Sequence, residues 1–101
     1  MNEINKSEII SILKKNRDTI ISYGVRKIGL FGSFVRNQQK DTSDIDILVE
    51  FETDKLTYDN YINLAFFLEN SLTKKVDLIT SDSLSPYIGP EILKEVEYVS
   101  Y

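Results

Sequence analysis

Helical and strand-like segments alternate along this chain, and the alternation predicts an α/β (α+β) domain with a small sheet, in the order α-β-(short α)-β-α-β-α. Apolar residues recur at helical spacing ahead of Val25 and again after Thr57. Short apolar runs at Val25–Phe31, Asp44–Phe51 and Lys75–Thr80 stand between turn residues. The 101 residues suffice for one core and not for two, so 1–101 is expected to form a single domain.

Ser7 is expected to cap a helix that runs to Tyr23 and is ended by Gly24. Ile9, Ile12, Leu13, Asn16 and Ile20 share one face of it. Val25 to Phe31 reads as a strand with Gly29 as its weak point, and Gly32-Ser33 ends it. Phe34 to Gln38 is read as a short helix or turn, and Gln39 to Ser43 as a polar loop. Asp44 to Phe51 is the second strand. The link between these strands is about a dozen residues, near the lower limit for a parallel crossover, so an antiparallel pair is at least as favoured.

Thr57 is expected to cap a second long helix through Asn70, with Tyr58, Tyr61, Ile62, Ala65 and Leu68 as its apolar stripe. Lys75 to Thr80 is the third strand. After a loop from Ser81 to Ser85, Pro86 suits the first turn of a last helix, and Pro90 starts or interrupts it. Tyr98 to Tyr101 reads as a short, extended tail.

Composition removes several chemistries. Without cysteine there is no disulfide, thiolate metal site or cysteine nucleophile. Without histidine, Ser-His-Asp catalysis and histidine-ligated zinc are excluded. Any metal must be held by oxygen, which points to magnesium or manganese. The net charge of −4, with scattered basic residues, argues against a nucleic-acid partner. No apolar stretch reaches the roughly 20 residues that span a bilayer, so no membrane partner is expected. Met1-Asn2-Glu3-Ile4-Asn5-Lys6 lacks the basic start and apolar block of a signal peptide, and a cytoplasmic protein is expected.

The residues that carry chemistry sit at strand ends. Side chains two apart on a strand point the same way, so Asp44 and Asp46 share a face while Ile45, Ile47, Val49 and Phe51 turn to the other. Two ionised carboxylates so close repel each other, and a divalent cation removes that penalty. Gly32 lets backbone approach a phosphate, and the Ser33 hydroxyl can donate to it. A helix from Phe34 onward would add free N–H groups and its dipole. Arg36, in the same turn, can neutralise phosphate charge. Asp77 lies between Val76 and Leu78, where burial without a partner would cost several kcal/mol. A place beside a metal would remove that cost, and Asp77 can then ligate the metal or act as general base. Taken singly, each motif is equally well explained as a turn or a solvated strand end.

Gly32-Ser33, ten residues and Asp44-x-Asp46 together resemble the signature of the DNA polymerase β-like nucleotidyltransferases. The longer run from Leu30-Phe31-Gly32-Ser33-Phe34-Val35-Arg36 to Ser43-Asp44-Ile45-Asp46-Ile47-Leu48-Val49-Glu50-Phe51 is similar to the minimal nucleotidyltransferase (MNT) family. Lys75-Val76-Asp77-Leu78-Ile79 resembles that family's third strand, and the likeness spans roughly residues 7 to 99. It implies a small mixed sheet flanked by helices. It also implies an antitoxin that moves AMP from ATP to a tyrosine of a HEPN-type ribonuclease toxin, with which it would form a hetero-oligomer. Carried over by position, Asp44, Asp46 and Asp77 would be the catalytic, magnesium-holding carboxylates. Gly32, Ser33 and Arg36 would contact the triphosphate. One departure is Asn37, where relatives have glycine. Asparagine tolerates left-handed backbone better than most residues.

Two other functions are compatible with the sequence. A binding antitoxin could occlude its toxin through Tyr58, Tyr61, Phe66 and Phe67, although helix aromatics usually belong to a core. Nucleotide transfer to a small molecule such as an aminoglycoside ranks lower, since nothing beyond the core resembles a drug pocket.

Overall fold

The computed structural model describes residues 4–101. It opens with a capping box: the Asn5 side chain accepts from the Glu8 N–H at 2.9 Å, and Glu8 Oε1 accepts from the Asn5 N–H at 3.3 Å. The cap is therefore Asn5 and not Ser7, which lies inside helix α1 (Lys6–Lys15). The first helix is also two helices. Asn16 turns its side-chain amide onto the Ile12 carbonyl at 2.8 Å and leaves helical geometry (φ −102°, ψ 24°). Asparagine competes in this way with the backbone ladder. Helix α2 (Arg17–Ser22) follows, and Gly24 closes it at φ 88°.

Strand β1 (Val25–Phe31) pairs antiparallel with β2 (Ile45–Phe51). Helix α3 (Tyr58–Leu72), capped by Thr57, crosses over to β3 (Val76–Thr80), which pairs parallel to β2. Helix α4 (Gly89–Glu95) carries Pro90 in its first turn, while Pro86 lies in the turn before it. Strand β4 (Glu97–Tyr98) begins one residue ahead of the expected tail and is antiparallel to β1 through Gly29↔Tyr98 and Leu30↔Glu97. The sheet is thus mixed, in the order β3-β2-β1-β4. Gly29 is the seat of β4: a Cβ there would stand 2.7 Å from Val96 Cγ2 and 3.0 Å from the Glu97 carbonyl oxygen.

The two sheet faces are unequal. Ile28, Leu30, Ile45, Ile47, Val49 and Leu78 face the main core, completed by Ile9, Leu13 and Ile20 from α1 and α2 and Leu64, Leu68 and Leu72 from α3. On the opposite face Phe31 and Leu48 meet Ile92 of α4 in a smaller cluster. Leu48, on the same face as Asp46, is therefore buried. Along that face β2 passes from acid to apolar within two residues. Among the described residues, no helix is long and apolar enough to cross a membrane.

The aromatics of α3 do not form one surface. Tyr61 donates its hydroxyl to the Leu78 carbonyl at 2.6 Å, and Phe67 packs against Tyr23 with ring centroids 6.0 Å apart. Tyr58 and Phe66 alone of the four are exposed.

Candidate active site

Gly32 leaves β1 at φ 80°, a conformation side chains rarely adopt. A Cβ on it would collide with the Asp46 carboxylate. The phosphate-type turn and the acidic strand, ten residues apart in sequence, therefore touch in space. Their contact follows from the antiparallel register, which sets Phe31 opposite Asp46.

The turn itself is tight. Gly32–Phe34 forms a single 3-10 turn, whose Gly32 carbonyl accepts from the N–H groups of Val35 at 3.1 Å and Arg36 at 3.2 Å. Of the short helix or turn expected over Phe34–Gln38, the chain takes the turn. Any dipole contribution is that of one turn, because Asn37 at φ 57° stops the spiral and the Gln38 N–H returns to the Ser33 carbonyl at 2.9 Å. Asn37 thus adopts the left-handed backbone that glycine would supply.

Asp44 stands exposed just ahead of β2, and Asp46 is half-buried one pleat further on. Asp77 lies beside Asp46 in the parallel register of β2 and β3. It is exposed, so the burial penalty expected for it does not arise; its position beside Asp46 is what distinguishes it. Burial pushes the Asp46 carboxyl up to about 6. The negative charges of Asp77, Asp44 and Glu95 add to that shift, and Arg36 opposes it. Among the described residues, no three acidic side chains close around a single metal position. Magnesium asks for less, since it is commonly held by one or two carboxylates and completed by water and substrate phosphates. Oxygen donors whose mutual repulsion resists ionisation fit such a hard cation.

One residue of this site was not foreseen. Glu95, the last residue of α4, accepts from the Gly32 N–H at 2.8 Å through Oε1. Arg36 Nη1 donates to both of its carboxylate oxygens, at 3.0 and 2.8 Å. Arg36 Nε also reaches Gln38 Oε1 at 3.2 Å. The sole sequence signal for Glu95 was its place between the apolar Ile92 and Val96. That spacing fixes a buried flank but not a partner 63 residues away.

Comparison with known proteins follows the same lines. The polymerase beta nucleotidyltransferase family matches residues 7–100. The protein adenylyltransferase MntA of Thermococcus cleftensis is 43% identical over 93 residues, covering 91% of this chain and 93% of MntA. A Methanocaldococcus jannaschii relative is 45% identical over 95 residues, covering 94% of this chain and 92% of its own. A crystal structure of a toxin–antitoxin pair with AMP-PNP is similar over 96% of this chain and 73% of the other, with a TM-score of 0.68 and 29% identity. The complex of tri-AMPylated Shewanella oneidensis HEPN toxin with MNT antitoxin is similar over 86% of this chain and 71% of the other, with a TM-score of 0.58 and 26% identity. With matching sequence along nearly its whole length and a similar overall fold, this chain belongs to the polymerase β nucleotidyltransferase family, among the minimal MntA-type members.

Proposed function

We propose that this protein is a magnesium-dependent protein adenylyltransferase that moves AMP from ATP to a tyrosine of a HEPN-type toxin, silencing it as the antitoxin of the pair. The observation that carries the reading is the contact of the Gly32 turn with Asp46, which brings a phosphate-binding element and an acidic element to one point. The names of the relatives, the AMP-PNP bound to one similar toxin–antitoxin pair and the AMPylated toxin in another support the choice of nucleotide and acceptor.

In this reading Asp44 and Asp46 would hold magnesium, with Asp77, paired beside Asp46, left as the base. Gly32, Ser33 and Arg36 receive the triphosphate through backbone N–H, hydroxyl and guanidinium donors. The bound cation supplies charge neutralisation at the phosphates and the leaving oxygen. The acceptor's phenolic oxygen attacks the α-phosphorus, the bond from that phosphorus to the bridging oxygen breaks, and pyrophosphate leaves. Asp77, exposed beside Asp46, takes the phenolic proton.

The test is transfer of labelled AMP to the co-purified toxin. Asp44→Asn or Asp46→Asn is expected to abolish labelling, by at least about 100-fold, while circular dichroism stays unchanged. Undiminished labelling by a folded double variant would remove the assignment. Neutralisation of the toxin without labelling would turn it into occlusion.

A further inference from the structure

Gly32 N–H and Arg36 are two of the donors assigned above to the triphosphate, and one carboxylate takes both. Glu95 accepts from the Gly32 N–H at 2.8 Å and from Arg36 Nη1 at 3.0 and 2.8 Å. Carboxylate and phosphate oxygens seek the same charge-assisted donors in the same geometry. A phosphate chain laid along this turn would meet a negative charge already in its seat. We infer that Glu95 is a resident competitor for the phosphate chain of the nucleoside triphosphate, a residue that sets nucleotide affinity by having to withdraw before the substrate can seat. The inference rests on the nucleotidyltransfer reading above and adds to it a residue on a different element.

The fold allows the withdrawal. Glu95 ends a helix of seven residues, and its side chain retains partial contact with solvent. The helix is held mainly by Ile92 against Phe31 and Leu48, whereas Ile88 and Leu93 are exposed. After Glu95 the chain turns extended at Val96 and enters β4, so the carboxylate can swing outward while β4 stays paired to β1. The alternative role, in which Glu95 holds Arg36 ready for phosphate, predicts the opposite effect on binding.

The experiment measures Mg-ATP binding by calorimetry and steady-state AMP transfer for the wild-type protein, Glu95→Gln and Glu95→Asp. Glu95→Gln removes the competing charge. Glu95→Asp keeps the charge but draws it back by one methylene, and serves if the first variant does not fold. Glu91→Gln is the control, since it deletes the same charge from the same helix at an exposed position away from the turn. The dissociation constant and KM for ATP are expected to fall about ten-fold in Glu95→Gln and by a smaller factor in Glu95→Asp, with kcat little changed and Glu91→Gln like wild type. Equal or weaker binding by the folded Glu95 variants, with wild-type binding intact, would overturn the inference and leave the enzyme assignment standing. Absence of nucleotide binding in wild type and variants alike would overturn both.

Discussion

Asp46 is the residue on which the site's electrostatics turn. Its carboxyl titrates near 6 because burial and the charges of Asp77 and Asp44 oppose its ionisation. Below about pH 3 it is protonated in both the folded and the unfolded chain. Between about pH 4, where the unfolded chain ionises, and pH 6, where the folded chain does, the stability it conferred is lost. Asp46→Asn is therefore expected to be more stable than wild type at pH 7.5 by on the order of 1 kcal/mol, after discounting for solvent screening, with the difference vanishing near pH 3. Urea unfolding at the two pH values reads this directly, and a gain of the same size at pH 3 would contradict it. The pairing of Asp44 with Asp46 was legible from local strand alternation, whereas Asp77 was singled out by a burial the fold does not impose. Glu95 was not legible, because an acidic residue on a short helix is ordinary until the chain folds and brings it to Gly32.

Elements were legible where short-range forces decide them. Strand β1 falls where its apolar run lies, and the Thr57 cap holds the start of α3. Errors arose where a single side chain competes with periodicity. Asn16 splits the first helix by bonding Ile12, and Asn5 wins the cap because Glu8 completes the reciprocal pair that Ser7 lacks. Strand β4 was read only as an extended tail, since two residues carry no pattern of their own and their pairing comes from β1. Its dependence on Gly29 can be measured. Gly29→Ala would press a methyl into Val96 and the Glu97 carbonyl, and is expected to lower stability by about 1–3 kcal/mol. The same variant should loosen the hold of Glu95 on the Gly32 turn, since β4 begins two residues after it, and so lower the KM for ATP in AMP transfer. Chemical denaturation and the labelling assay check the two halves, and an unperturbed variant would show that β4 does not constrain the site.

For the whole molecule, the mixed sheet explains how so short a chain assembles a site from distant parts. The antiparallel β1–β2 pair joins the turn to the first acid, the parallel β2–β3 pair adds the second, and α4 closes over the smaller apolar cluster. A fold that gathers repelling carboxylates should be stabilised by what neutralises them. Mg-ATP at 100 times its dissociation constant is expected to add about 2.7 kcal/mol to the unfolding free energy, and Asp44→Asn/Asp46→Asn to abolish that gain. Thermal unfolding with and without Mg-ATP tests this; an equal rise in the double variant would refute it. Alternation of helices and strands revealed the class of the molecule from sequence, but not the order β3-β2-β1-β4, because strand order depends on crossovers and edges that local pattern does not encode.

The parallel register of β2 and β3 has a kinetic side. These strands meet only after α3 has spanned the gap between them, so the loop-closure cost falls before their contacts are gained. The same step forces Asp46 against Asp77. Repulsion between them is then expected to slow closure, which refolding rates with and without a divalent cation would measure. A divalent cation in the refolding medium would relieve that repulsion, so the ion that serves the chemistry would also hasten the birth of the fold that holds it.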